Sequence, residues 1–269
     1  MAYLCEFRFT PTRPLQEEFL DTVSLLITAL RRNGHVLGAP VLGWEGTDLR
    51  LLGSVPHPQA LDPSYRSDYV QIWLAKLADW CDQTPTCEIR THDESPTHVG
   101  SLEGLPSLYI HPFDNSVLRC GPDGLGVPLY LLPLHPDERE RLNNWQRQFD
   151  WVSSLEASCG CLEFEAYREM ADQHSWLTRQ GRAWASRIEA VTQLPTYYYL
   201  VHHYGDASPR PCPGCGQDWR VETEGQALES FPFRCDGCRL LSCEASDHQG
   251  DIRSTFGRWS LGGLCSPGD

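Results

Sequence analysis

Four of the twelve cysteines in this 269-residue chain form two matched pairs with the spacing of metal ligands. Cys212 and Cys215 make one Cys-x-x-Cys pair, Cys235 and Cys238 make the other, and nineteen residues lie between the pairs. Two thiolates separated by two residues can hold one metal ion from a single tight turn, and Gly216 permits the positive φ that such a turn needs. This spacing is typical of a tetrathiolate zinc ribbon, whose four ligands leave no open position. The sequence therefore predicts one structural Zn²⁺.

The other cysteines and histidines do not repeat this spacing. Cys243 and His248 are alternative ligands, but their spacing is poorer than that of Cys238. Cys159 and Cys161 are too close for a usual knuckle and are interpreted as core cysteines. The chain has no glycine-rich phosphate loop and no nucleophile elbow. Five other histidines are candidate metal ligands or general bases, but none lies in the HExxH helix of a zinc protease: His92, His98, His111, His202 and His203. The sequence therefore predicts a protein that is not an enzyme.

Net charge narrows the choice of partner. The chain has 36 acidic and 22 basic residues, a net charge of −14. From Asp206 to the end there are ten acidic and six basic residues, a net of −4. Nucleic-acid affinity comes mainly from Lys and Arg side chains that neutralise phosphates, so a ribbon of this charge should repel a phosphate backbone. The alternative is that the net charge only keeps the protein soluble.

An acidic surface favours a basic protein as the partner. The most specific form of this hypothesis is an immunity-type inhibitor that covers the phosphate-binding groove of a nuclease toxin with carboxylates. Candidate partner-binding residues are Glu222, Glu224 and Glu229, which flank the predicted turn of a hairpin between the two knuckles. The alternative interpretation of these three residues is a solvated hairpin tip. Nucleic-acid binding is kept as the alternative function.

The cellular compartment follows from the cysteines and the N-terminus. The first residues contain neither a basic region nor an apolar core of a secretion signal. The longest apolar run, 22–30, is far shorter than the ~20 residues of a membrane span. Twelve cysteines without an export signal indicate reduced thiols and metal ligands. We therefore expect a cytoplasmic protein with no membrane contact.

The elements that must position the knuckles fall into three predicted segments. Residues 1–133 are predicted to form an α+β sheet domain, in which 1–92 have the order β-α-β-β-α-β of a ferredoxin-like unit. A non-standard α+β sheet is the alternative. Residues 134–204 are predicted to be helical and to end in an aromatic strand, and 205–269 to be the zinc ribbon and a tail. Within these segments a strand is predicted at 127–132 and one long helix at 162–192.

One stretch carries a family resemblance. Its most specific parts lie between Gln180 and Ser242. They are Gln180-Gly181-Arg182, Ile188-Glu189, the run Pro195 to Leu200, the CPGCG knuckle with Trp219, and the run Phe233 to Leu240. They resemble an uncharacterised bacterial family with a C-terminal zinc ribbon, usually labelled a possible nucleic-acid-binding protein. The resemblance covers nearly the whole chain and implies a zinc ribbon at its C-terminal end. The nucleic-acid label needs a basic surface, which the ribbon of this chain lacks.

Overall fold

In a computed structural model of the protein, the structure describes residues 3–13, 17–81, 85–91, 98–113, 116–158, 162–202, 211–223, 225 and 227–245. The chain divides into two compact units. Unit 1 contains 1–104 and 125–143, and unit 2 contains 105–124 and 144–269. Each unit is thus made of two separate segments of the chain, and each contains its own sheet.

Unit 1 is built on a four-stranded antiparallel sheet with the strand order β2-β3-β1-β4. Its elements in chain order are β1 (Tyr3–Phe9), α1 (Glu17–Arg32), β2 (Leu37–Glu45), β3 (Asp48–Val55), α2 (Asp68–Leu77) and β4 (Thr86–Thr91). Strand β1 lies in the middle of the sheet and pairs with β3 on one side and β4 on the other. Unit 1 is therefore a mixed α+β structure, as the sequence predicts.

Alternating side chains place one face of β1 on the core of unit 1. Cys5, Phe7 and Phe9 point to one face and are all buried. On α1, Phe19 and Leu26 belong to a stripe at helical spacing that joins the same apolar core. Helix α1 has two glutamates in its first turn and two arginines in its last, which suits the helix dipole at both ends.

Unit 2 is built on a mixed sheet of five short strands with the order β6-β5-β7-β9-β8. Its elements are β5 (Leu108–Ile110), β6 (Leu118–Cys120), α3 (Pro136–Ala157), α4 (Glu163–Ala171), α5 (Trp176–Thr192), β7 (Thr196–Tyr199), β8 (Phe233–Cys235) and β9 (Leu240–Ser242), and α3 crosses the boundary between units at residue 143. Strand β7 is parallel to both of its neighbours, β5 and β9. Strands β8 and β9, which flank the second Cys-x-x-Cys pair, are thus part of the same sheet as the aromatic strand.

Aromatic packing fixes α5 against β7. The Tyr198 side chain is fully buried, and Trp145 packs beside it with ring centroids 6.2 Å apart. The indole N–H of Trp145 donates to the carbonyl oxygen of Leu177 at 2.9 Å. Gly181 lies where helix α5 crosses these rings, and a Cβ at this position would overlap both of them. The absence of a side chain at 181 therefore lets the helix approach the sheet closely.

Two predicted elements are wrong in type or extent. The strand predicted at 127–132 is a 3₁₀ turn at Leu129–Leu131 that follows Pro128, which has no N–H to donate to a sheet. The helix predicted as one piece at 162–192 is two helices, α4 and α5, with a break at 172–175. Ser175 starts the second helix because its side chain accepts a hydrogen bond from the N–H of Thr178. Among the described residues, no helix is long and apolar enough to cross a bilayer.

Candidate metal centre

The four predicted ligands come together in unit 2. The Sγ atoms of Cys212, Cys215, Cys235 and Cys238 all lie within 4.8 Å of one another. The Sγ atoms of Cys215 and Cys235, which come from different knuckles, are 3.7 Å apart. Cys243 is exposed and is not part of this group, and the alternative ligand His248 lies outside the described residues. Four thiols in this arrangement can hold one metal ion.

The first knuckle is a tight turn closed by its own backbone. The N–H of Gly216 donates to the carbonyl oxygen of Cys212, and the N–H of Cys212 donates to the carbonyl oxygen of Gln217, both at 2.8 Å. Gly216 has φ +74°, the left-handed conformation that glycine adopts without strain. At Gly214 a Cβ would lie 2.7 Å from the Sγ of Cys238. Glycine is therefore needed at 214 so that the two knuckles can approach each other.

The second knuckle is the turn between β8 and β9. These strands pair antiparallel, with Cys235 opposite Leu240. Arg239, the residue after Cys238, has φ 55°, a left-handed conformation that is uncommon for a residue with a side chain. The turn thus places Cys235 at the end of one strand and Cys238 just before the next.

An ion pair attaches the second knuckle to helix α5. The guanidinium of Arg239 contacts both carboxylate oxygens of Glu189, with Nε 3.0 Å from Oε2 and Nη2 3.1 Å from Oε1. The same Oε2 accepts a hydrogen bond from the backbone N–H of Thr196 at 3.0 Å. In addition, the hydroxyl of Tyr197 donates to Oδ1 of Asp236 at 2.7 Å. These contacts fix the knuckle to the end of α5 and the start of β7.

Sequence reasoning missed this attachment. Glu189 and Arg239 are 50 residues apart, and neither belongs to the Cys-x-x-Cys pattern. The sequence places Arg239 directly after Cys238, but it does not say which carboxylate would meet it. The first knuckle has a similar contact, in which the side-chain amide of Gln173 donates to the carbonyl oxygen of Pro213.

The pKa values of Cys212, Cys215 and Cys238 are shifted in different directions by their surroundings. The backbone N–H of Gln217 is the main cause that lowers the pKa of Cys215. Burial is the main cause that raises the pKa of Cys212 and of Cys238. A divalent cation would reverse the effect of burial, because coordination deprotonates a thiol outright.

The segment between the knuckles pairs antiparallel where the sequence predicts a hairpin, but over a short length in the described residues. Arg220 and Phe233 form an isolated antiparallel bridge, with hydrogen bonds from the N–H of Val221 to the carbonyl oxygen of Pro232 and from the N–H of Arg234 to that of Trp219. Residues Ala227–Ser230 form a 3₁₀ turn. Pro232 and the short apolar pattern leave too few partners for a longer ladder. Glu222 and Glu229 are exposed, as predicted, and Glu224 lies outside the described residues.

The fold and the cysteine group define a mixed α+β protein with a four-cysteine centre near its C-terminus. Two family models match it: a domain of unknown function (DUF2310) at residues 105–201, and a second domain of unknown function (DUF8594) at 203–248. An uncharacterized protein of Haemophilus influenzae is 33% identical over 258 residues, which cover 89% of this chain and 97% of that protein. The chain therefore belongs to the same family as this Haemophilus protein, and the two domains of unknown function identify that family.

Further comparisons give shorter or more distant matches. A second uncharacterized protein of Haemophilus influenzae is 33% identical over 132 residues, which cover 47% of this chain and 64% of that protein. Among solved structures, a conserved protein from Methanosarcina mazei Go1 matches with 17% identity and a TM-score of 0.30, covering 35% of this chain and 94% of its own. Rv0793 from Mycobacterium tuberculosis matches with 15% identity and a TM-score of 0.26, covering 35% and 98%.

Proposed function

We propose that this protein holds one structural Zn²⁺ in its four-cysteine centre and binds a basic protein partner. The observation that carries the first part is the spacing of the sulfur atoms. Four sulfurs at ~2.3 Å from one zinc ion in a tetrahedron are about 3.8 Å apart. The Sγ atoms of Cys215 and Cys235 are 3.7 Å apart. The donor set and its spacing therefore fit zinc.

Metal analysis of the purified protein tests this part. We expect about one zinc per chain, and each of the variants Cys212→Ser, Cys215→Ser, Cys235→Ser and Cys238→Ser should lose it. Cys243→Ser is the matched control and should keep its zinc, because this exposed thiol is not in the group. Full zinc content in Cys238→Ser would show that the ligand set is wrong.

A binding role, not catalysis, fits this centre. Four thiolates complete the tetrahedron, so no coordination position is left for a substrate or an activated water. The order of elements in unit 1 and its strand order β2-β3-β1-β4 support a ferredoxin-like unit there. That fold hosts many functions, so the assignment of function depends on the ribbon and its charge.

The charge of the ribbon supports a basic partner. The described residues of 211–245 contain five acidic side chains, Asp218, Glu222, Glu229, Asp236 and Glu244, against three arginines, Arg220, Arg234 and Arg239. Arg239 is paired with Glu189, and Arg234 lies 3.5 Å from Asp236. Four thiolates and one Zn²⁺ add about −2. A nuclease toxin is the partner class that these charges fit best, because its groove for phosphates is basic.

Charge reversal on the exposed ribbon carboxylates tests this part. Partners captured from lysate of the source cells by the wild-type protein are identified by mass spectrometry, and the association rate of the purified partner is then measured. Glu222→Lys combined with Glu229→Lys should slow association and reduce its salt dependence, with zinc content unchanged. Asp79→Lys combined with Glu103→Lys changes the net charge equally at exposed residues of unit 1 and is the control.

Two outcomes would overturn the partner proposal. An unchanged association rate in the ribbon variant would exclude this surface. Submicromolar binding of duplex or single-stranded nucleic acid by the wild-type protein, with a steep dependence on salt, would favour the nucleic-acid function that the family resemblance implies.

A further inference from the structure

A cavity of about 200 Å³ lies in unit 1 between helices α1 and α2 and the sheet. Most of its wall is apolar, formed by Phe7, Leu26, Leu30, Leu61, Val70 and Leu74. The polar side chains in the wall are those of His35, Arg66 and Cys87. The cavity is remote in sequence from the cysteine centre, which belongs to unit 2.

His35 lines this cavity and has one buried ring nitrogen without a hydrogen-bond partner. Its side chain is completely buried, and its Nδ1 is 2.6 Å from the carbonyl oxygen of Ala60. A carbonyl oxygen only accepts, so Nδ1 carries the proton and Nε2 is left with a lone pair. Nε2 is buried and has no hydrogen-bond partner. Because a buried polar atom normally has a hydrogen-bond partner, we expect a hydrogen-bond donor to bind to this nitrogen.

The surroundings keep the His35 ring neutral and fixed. Burial is the main cause that lowers its pKa to about 4. The ring of Tyr130 stacks on it with centroids 5.0 Å apart and planes 5° from parallel. At neutral pH the ring therefore offers one acceptor in a constant position, and it offers no positive charge.

We propose that this cavity binds a small apolar molecule with one hydroxyl group, of the phenol class, whose O–H donates to Nε2 of His35. A cavity of ~150 Å³ in another protein holds a benzene ring, so about 200 Å³ accommodates a ring with one or two small substituents. A plain hydrocarbon would leave Nε2 unpaired. A carboxylate could pair with Arg66 in the wall, but it would lose hydration there and would place a second acceptor against Nε2.

Titration of the full zinc-loaded chain with three matched probes tests the proposal. The probes are p-cresol, toluene and p-toluate, which share a methylated ring and differ in the polar group. We expect saturable binding of p-cresol, about fivefold tighter than that of toluene because of one hydrogen bond, and still weaker binding of p-toluate. Binding is followed by NMR of amide groups near the cavity. Absence of saturable p-cresol binding, equal affinity for toluene, or a preference for p-toluate would overturn the proposal.

Two variants and one control variant locate the site. Leu74→Phe fills the cavity and should abolish p-cresol binding, whereas Leu20→Phe changes an exposed position of α1 outside the cavity wall and should not. His35→Phe removes the acceptor and should make the affinities for p-cresol and toluene equal. If a variant fails to fold, the imidazole ¹⁵N signal of His35 in the wild-type protein decides. Its Nε2 resonance should shift with p-cresol and not with toluene, and an unmoved resonance at saturation would contradict the proposal.

Discussion

The sheet of unit 1 and the cysteine-bearing end of unit 2 are stabilised in different ways. The strands of unit 1 have six to nine residues and cover an apolar core that includes Phe9 and Phe19. Strands β8 and β9 have three residues each, and the buried apolar side chains in the described part of 211–245 are fewer than in that core: Cys212, Trp219, Leu228, Phe231, Phe233, Leu240, Leu241 and Ala245. Burial of apolar area scales with the number of such side chains, so the ribbon needs another source of stability. Four ligands on one metal ion would supply it.

Removal of the metal should have the largest effect and should separate the two regions. Structural zinc contributes about 10–16 kcal/mol to the folding of small zinc-finger peptides, so a chelator or Cys238→Ser should unfold the ribbon. We expect amide hydrogen exchange to become fast at 211–245, while β1 and β3 of unit 1 stay protected. If the amides of β9 stay protected after removal of the metal, the ribbon does not depend on the metal for its stability.

Overpacking at Gly181 should have an intermediate effect, and its sign is diagnostic. In an exposed helix position, Gly→Ala stabilises by about 1 kcal/mol. In α5 the new Cβ would overlap Tyr198 and Trp145, so Gly181→Ala should destabilise unit 2 by about 1–3 kcal/mol in urea unfolding. Ser186→Ala, at an exposed position of the same helix, is the control and should change stability little. A more stable Gly181→Ala protein would show that packing of α5 on β7 is loose.

The ion pair that attaches the second knuckle should have the smallest effect. The side chains of Glu189 and Arg239 are 32% and 35% exposed, so Glu189→Gln should cost about 0.2–1 kcal/mol. Exposed Glu103→Gln is the control and should have no effect. An equal loss in both variants would mean that the pair does not hold the knuckle.

The same ion pair gives a pH dependence with a defined sign. Arg239 lowers the pKa of Glu189 below its ordinary value of 4.5. A carboxylate with a depressed pKa in the folded state stabilises fully above its ordinary pKa and loses this contribution as the pH falls through the folded value. The stability difference between wild type and Glu189→Gln should therefore be constant near neutral pH and shrink below about pH 4.5. Protonation of the cysteine ligands affects both proteins and cancels in the difference.

Local patterns in the sequence predicted the parts that depend on local chemistry. The two Cys-x-x-Cys pairs identify four thiols that the structure brings together, and the alternation at 3–9 and the helical stripe on α1 identify their elements. The parallel pairing of β5, β7 and β9 was not predicted, because it joins strands far apart in sequence. Ser175 is a typical N-cap residue and could have indicated the start of a second helix. The apolar stripe over 162–192 instead favoured one long helix.

Strand β7 also determines how this chain can be divided. The two matched domains meet between residues 201 and 203, yet β7 from the first is hydrogen-bonded to β9 from the second. A fragment that ends at 201 would leave one side of β7 without its neighbour, with the backbone of Tyr198 and Tyr199 open to pairing with other molecules. Such a fragment should self-associate when expressed alone. The sequence boundary therefore does not mark a folding boundary, and recombination at this point would have to supply a replacement strand.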